Sequence, residues 1–270
     1  MMKKRMMTLW LLLLAGGALF AGRVDTVRVY SPAMDKTVPV LLVFPEQKEN
    51  TDSLNVVFLL HGYGGSFKSW QKHIDLRPLA DRYGVLIVCP DGSPNSWYLD
   101  SPLQRESQYE TFTARELPRY ILKNHPARKA AAHWAVTGLS MGGHGALYLA
   151  IRHPERFGQM ASMSGGVDLT YSTKRWEIAL KLGDYGHNRQ RWHENSVVNM
   201  VGQIREPYRP MLIDCGVDDI FIDNNRALHK RLLQAAIPHD YYERPGGHSW
   251  DYWTRVLPYH LFFFNEHWPR

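Results

Sequence analysis

Apolar runs at positions 56–60, 85–89, 133–137 and 211–215 divide the chain into regular segments. Such runs lack the alternation of a half-exposed strand and read as strands covered on both faces, as in a parallel sheet. Gln159 to Met163 is a weaker run of the same kind, and His239 to Glu243 reads as a last strand. Near the start, Val24 to Tyr30 and Thr37 to Phe44 read as two strands around a turn at Ser31-Pro32-Ala33-Met34-Asp35. Between the runs lie helical stretches at Leu76–Tyr83, Tyr109–Lys123, Gly143–Arg152 and Asn224–Ala236, with a final helix from about Trp250. Alternating strands and helices predict an α/β fold, a doubly wound and mostly parallel sheet with helices on both faces.

Two segments break this pattern. Lys3-Lys4-Arg5, the apolar stretch Met6 to Ala15 and the small residues Gly16 to Ala21 have the form of a signal peptide over residues 1–22. The apolar stretch falls short of the ~20 residues of a membrane span, so the expectation is an exported protein, periplasmic or secreted, without a stable span after cleavage. A single domain over 23–270 then follows. Leu169 to Ile204 is rich in aromatic and charged residues, among them Tyr171, Trp176, Tyr185, His187, Trp192 and His193. An insertion between two strands at the C-terminal edge of an open sheet overhangs the place where ligands bind. Residues 169–204 are therefore expected to form a short lid-like insertion or substrate wall.

Composition narrows the function. Hydrophobic content of 44% and charged content of 21% suit a globular domain with a substantial core. The formal charge is +6, of which Lys3, Lys4 and Arg5 supply half, and the other basic residues are interspersed with acids. That distribution argues against nucleic acid as a partner. Cys89 and Cys215 are the only cysteines, each ending an apolar run, and read as buried thiols. No H-E-x-x-H or C-x-x-C spacing suggests a metal, and no cofactor is implied.

The chemistry centres on Gly138-Leu139-Ser140-Met141-Gly142, a G-x-S-x-G set between an apolar run and a helical one. At such a strand-to-helix turn the serine hydroxyl stands exposed above the sheet, and the flanking glycines avoid collisions with neighbouring main chain. A serine nucleophile needs an imidazole to take its proton and an acid to orient that imidazole, in the chain order Ser, acid, His. Of 13 histidines, His248 lies in the Gly-rich loop Arg244–Trp250 between the last strand and the last helix. The acid is expected after the run 211–215, where spacing leaves Asp218 and Asp219 open; Asp214 falls inside the run, and Asp223 reads as the cap of the next helix. Oxyanion donors are expected from the N–H of Met141 and from the Tyr63 N–H in His61-Gly62-Tyr63-Gly64-Gly65. His61 reads as an organiser of that loop, and His144 as a packed or solvated helix residue. Trp97, Tyr98 and Trp176 are candidate substrate-binding aromatics, with Trp192 a further contributor to the pocket.

Four motifs in order, Leu59–Gly65, Asn95–Tyr98, Gly138–Gly143 and Gly246–Trp250, resemble the esterase D family, which includes S-formylglutathione hydrolases, tributyrin, feruloyl and acetyl-xylan esterases, and mycolyltransferases. The resemblance spans nearly the whole chain after residue 22 and implies the α/β-hydrolase fold and carboxylic-ester chemistry. The loop Cys215–Ile220 resembles the G-x-x-D turn of hydrolases, whose fourth residue is the acid; that selects Asp219. The implied function is a serine carboxylesterase acting on short-chain acyl or aromatic-acid esters, small or glycan-linked. An acyltransferase of the mycolyltransferase type and an inactive hydrolase-fold binding module are the alternatives.

Overall fold

The computed structural model describes residues 22–46 and 53–269. The signal-peptide reading of residues 1–22 lies outside the described residues except for Gly22. Eight strands form one sheet: β1 (Val24–Ser31), β2 (Lys36–Val43), β3 (Asn55–Leu60), β4 (Val85–Pro90), β5 (Trp134–Gly138), β6 (Gln159–Met163), β7 (Met211–Gly216) and β8 (Asp240–Arg244). Their spatial order is β1-β2-β4-β3-β5-β6-β7-β8. β1 and β2 form an antiparallel hairpin and β2 runs antiparallel to β4; every pairing beyond that is parallel.

The central strands are buried throughout β4, β5, β6 and β7. Side-chain alternation sends Val56, Phe58 and Leu60 to one face and Val57 and Leu59 to the other. The first face packs against the helix Met141–Arg152 and Leu117 and Ile121 of the helix Leu117–Asn124. The second packs against the helix Trp250–Glu266 through Val256, Leu257, Leu261 and Phe264. The edge strand β8 is largely exposed. Burial on both sides explains why the central runs lack alternation.

Several expectations shift locally. β5 begins at Trp134, because His133 ends a short 3₁₀ turn. The expected helix Tyr109–Lys123 is interrupted by a π-helical stretch, Phe112–Glu116. A five-residue helix, Ser69–His73, was not anticipated. Asp223 is not a cap: the helix Ile222–Gln234 starts one residue earlier, from Phe221, and Asp223 lies in its first turn. The segment between β6 and β7 holds the helices Ile178–Leu182 and Tyr185–Asn195 with three 3₁₀ turns. Cys89 and Cys215 are both buried and unpaired.

Candidate active site

The G-x-S-x-G turn joins β5 to the helix Met141–Arg152, and Ser140 sits in it at φ 55°, ψ −116°. A non-glycine residue there is strained, and the surroundings over-determine it. The Ser140 N–H donates to the Met163 carbonyl at 3.0 Å, and its own carbonyl accepts from the N–H of His144 at 3.0 Å. A Cβ on Gly142 would lie 2.6 Å from the carbonyl oxygens of both Leu60 and His61; one on Gly138 would lie 2.6 Å from the Gly142 oxygen. The turn is thus pressed against the end of β3, which brings the next loop to the serine.

Ser140 Oγ is 2.9 Å from Nε2 of His248. On the other side of the ring, Nδ1 lies 2.9 and 3.0 Å from the two carboxylate oxygens of Asp219. Asp219 is buried and also accepts from the Phe221 N–H at 2.8 Å, whereas Asp218 is exposed. The turn after β7 explains the choice: the Asp219 N–H donates to the Gly216 carbonyl, and the Asp218 N–H is spent on Gly246 in the His248 loop. Phe221 and Trp253 pack edge-on to the His248 ring, with centroids 5.2 and 4.8 Å away. These contacts hold the imidazole between its two polar partners.

The loop after β3 is organised from below. Gly92 donates its N–H to His61 Nε2 at 2.8 Å, so the proton of the neutral ring sits on Nδ1, which donates to the Gly62 carbonyl at 2.8 Å. Burial pushes the His61 pKa down, which favours that neutral form. The Tyr98 hydroxyl accepts from the His61 N–H at 3.0 Å and donates to the His61 carbonyl at 3.2 Å. Among the described residues no protein acceptor takes the N–H of Tyr63 or of Met141. Both residues flank the serine, one by chain adjacency and one across Gly62, whose added Cβ would lie 3.4 Å from Ser140 Cβ.

Ser140 and His248 open into a cleft of about 630 Å³ bordered by Tyr63, Trp176, Ile220, Trp250 and Trp253, with Lys72 and His73 on its rim. Trp176 therefore stands where the sequence reading puts it, but Trp97, Tyr98 and Trp192 do not. Trp97 is 2% exposed and Tyr98 and Trp192 are fully buried. Tyr98 fills the space over Gly92 and Gly145 and braces the His61 loop. Trp97 reaches the cleft wall only from behind, donating Nε1–H to the Trp176 carbonyl at 3.1 Å. Trp250, Trp253, Lys72, His73 and Ile220 were not anticipated at the site. The first two follow His248 closely in the chain, a signal that was present; Lys72 and His73 belong to the unforeseen helix. His73 stacks on Trp250 at 3.9 Å and 10°.

Residues 31–264 match the Esterase family ("Putative esterase"). An acetyl esterase of Caldicellulosiruptor saccharolyticus is 25% identical over 253 residues, covering 86% of this chain and 94% of that protein. A diacylglycerol acyltransferase/mycolyltransferase of Mycobacterium leprae is 27% identical over 271 residues, covering 87% and 80% respectively. Among solved structures, a ferulic acid esterase superposes with a TM-score of 0.79 at 27% identity over 93% of this chain and 100% of its own. The family match over most of the chain and the eight-stranded, mostly parallel sheet agree with one another: the chain belongs to the Esterase family, has the α/β-hydrolase fold, and is a carboxylic ester hydrolase.

Proposed function

We propose that this protein is a serine esterase in which Ser140, His248 and Asp219 act as the catalytic triad on short acyl or aromatic-acid esters. The observation that carries this reading is the unbroken relay from Ser140 Oγ through both nitrogens of His248 to the Asp219 carboxylate. Ser140 Oγ attacks the ester carbonyl while His248 Nε2 takes its proton. Asp219 holds Nδ1–H and stabilises the imidazolium. The N–H groups of Tyr63 and Met141, free of protein acceptors among the described residues, receive the oxyanion. Collapse of the tetrahedral intermediate breaks the bond to the alcohol, which leaves with the proton from His248. Water activated by the same imidazole then releases the acid and restores Ser140.

The substrate class rests on the cleft. Among the described residues its border mixes Trp176, Ile220, Trp250 and Trp253 with Lys72, His73 and Ser249, a lining too mixed in polarity to desolvate a long fatty chain. Each methylene left in water forgoes about 0.8 kcal/mol of burial. The segment 169–204 serves as wall rather than as a lipase lid. A substrate presented on a glycan suits the open rim, and the likeness to an acyltransferase keeps transfer to an alcohol as a second reading. Export through residues 1–22 belongs to the same proposal, and the N-terminal sequence of the mature protein tests it.

A fluorophosphonate probe should label the wild type at Ser140. Ser140→Ala should abolish labelling and reduce p-nitrophenyl acetate turnover by about 10⁶-fold with the fold intact. Labelling that survives in Ser140→Ala would overturn the assignment. Acyl transfer to glycerol in preference to water would favour the second reading.

A further inference from the structure

Two consecutive residues of the insertion, Trp176 and Glu177, both have left-handed backbone, with φ of 57° and 53°. Neither is glycine, so this conformation needs support from outside. It comes from the two loops that border the serine. The Glu177 carboxylate accepts from the Tyr63 hydroxyl at 3.2 Å and from Asn95 Nδ2 at 2.9 Å. The Trp176 carbonyl accepts from Trp97 Nε1, as described above.

Tyr63 is an unusual residue to be held this way. The residue is 41% exposed and lies among three glycines, Gly62, Gly64 and Gly65. Its loop is tied from beneath through His61 and through Gly64, whose N–H donates to the Pro94 carbonyl at 2.7 Å. Its own N–H stays free for the oxyanion, and the Gly62–Tyr63 peptide that carries it is held from the other end: the Gly62 carbonyl accepts from His61 Nδ1 at 2.8 Å and from the Gly65 N–H at 3.1 Å. Those bonds fix the loop from the sheet side; the bond from the Tyr63 hydroxyl to Glu177 adds a restraint from the insertion side, and the same carboxylate accepts from Asn95 on the neighbouring loop.

From this juxtaposition we infer that Glu177 is a positioning residue: by holding the Tyr63 side chain from above, it aims the Tyr63 N–H at the oxyanion and ties the wall to the reacting centre. The inference rests on the proposed serine mechanism. A donor misaligned by loss of this restraint remains available to the ground state but serves the tetrahedral state less well. A wall that merely bordered the substrate would instead change binding of substrate and transition state alike.

The test compares Glu177→Ala, Glu177→Gln, Tyr63→Phe and the Glu177→Ala/Tyr63→Phe double variant with p-nitrophenyl butyrate, and measures inhibition by an alkylboronic acid that forms a tetrahedral adduct. Glu177→Ala should lower kcat about 5- to 10-fold with little change in KM, and weaken boronate inhibition in proportion. Glu177→Gln, whose amide oxygen still accepts, should recover most of the loss. The double variant should be no worse than Glu177→Ala, because both changes remove one interaction. Unchanged kcat in Glu177→Ala, a rise in KM alone, or additive losses in the double variant would overturn the inference. Should Glu177→Ala fail to fold, Tyr63→Phe tests the same bond at an exposed hydroxyl. Ser140→Ala separates the two levels: its inactivity leaves the serine reading standing whatever Glu177 does, whereas its persistent activity overturns that reading itself.

Discussion

The floor and the roof of the cleft are built by different means. The floor is main chain under compression: the Ser140 turn leaves no room for a side chain at Gly138 or Gly142, and Asp219 and His248 are fixed by bonds on several sides. What we read as the roof, residues 169–195, of which Trp176 borders the cleft, consists of a five-residue helix, an eleven-residue helix and a 3₁₀ turn, with Tyr171 and Leu180 about half exposed. It meets the rest of the domain through the buried apolar side chains Leu169, Ile178, Leu182 and Trp192, and meets the floor through the Trp176 carbonyl and the side chains of Glu177 and Asn195. The contrast matches what each part must do. On the proposed mechanism, proton transfer and oxyanion binding tolerate only errors well under an ångström, and the residues assigned to them sit where the backbone has little freedom. A boundary for the substrate needs only to be apolar in the right place.

The sharpest break of the comparison is at the acid. Asp219→Asn should lower kcat by about 10⁴-fold, because an amide cannot hold the Nδ1–H tautomer of His248. Asp218→Asn should leave activity within a few fold, since Asp218 is exposed and contributes only its main chain to Gly246. Steady-state kinetics of the two variants decide; a reversed result would mean that the relay runs through the other carboxylate.

Compression predicts intolerance. Gly142→Ala places a methyl group 2.6 Å from two backbone oxygens that cannot rotate away. The expected cost is about 2–3 kcal/mol of stability, together with loss of activity as β3 and the His61 loop are displaced. Chemical denaturation and turnover should fall together. A variant as stable as the wild type would show that the floor is looser than its contacts indicate.

The same contrast decides what could be read in advance. Strands β3, β4 and β7 are legible because burial on both faces imposes uninterrupted apolar runs, and Ser140 is legible because its turn demands glycine on both sides. Trp97 and Tyr98 are different. Their aromatic character fits a substrate wall and a buried brace equally well, and their left-handed backbone, φ 54° and 58°, has no signature in residue type. The helix Ser69–His73, with five residues, is too short to show a period. The polar contacts between roof and floor are long-range single bonds such as Glu177 to Tyr63, 114 residues apart, and no local pattern carries that information.

Beneath the serine helix, roof and floor are joined by buried ionisable groups, which predicts acid sensitivity. His144 Nε2 lies 2.9 Å from the Asn195 carbonyl, and the Tyr148 hydroxyl contacts Asn195 Oδ1 at 3.0 Å and Glu110 Oε2 at 2.7 Å. Burial pushes the His144 pKa down from 6.5 to about 4. The unfolded chain therefore binds a proton there first, so this contribution is whole above pH 6.5 and is lost as pH falls toward 4. For Glu110, burial favours the neutral acid, but bonds from His153, Arg152 and Tyr148 together outweigh it and bring the pKa from 4.5 to about 2. Its contribution is whole above pH 4.5 and disappears as pH falls toward 2. Each group is worth about 3 kcal/mol at most. The Tm should decline below pH 6.5, and Glu110→Gln, less stable near neutrality, should converge on the wild type in strong acid. A flat Tm between pH 7 and pH 4 would contradict the burial of His144.

The smallest expected effect belongs to the roof. Trp176 borders the cleft, its ring 5.2 Å from that of Phe221 and stacked at 14° with Tyr171. Trp176→Ala removes the indole and opens the cleft toward those two rings, which offer apolar surface to carbons that the wild type leaves in water. Each methylene newly buried is worth about 0.8 kcal/mol, roughly fourfold in kcat/KM. The ratio of kcat/KM for p-nitrophenyl octanoate over butyrate should therefore rise several-fold to about tenfold, while butyrate itself loses a little binding through KM. Because Trp176 touches none of the groups in the Ser140 relay, kcat for the short ester should hold. An unchanged ratio would place Trp176 beside the alcohol rather than the acyl group, and a large fall in kcat would mean that the indole, like Glu177, acts on the reacting centre.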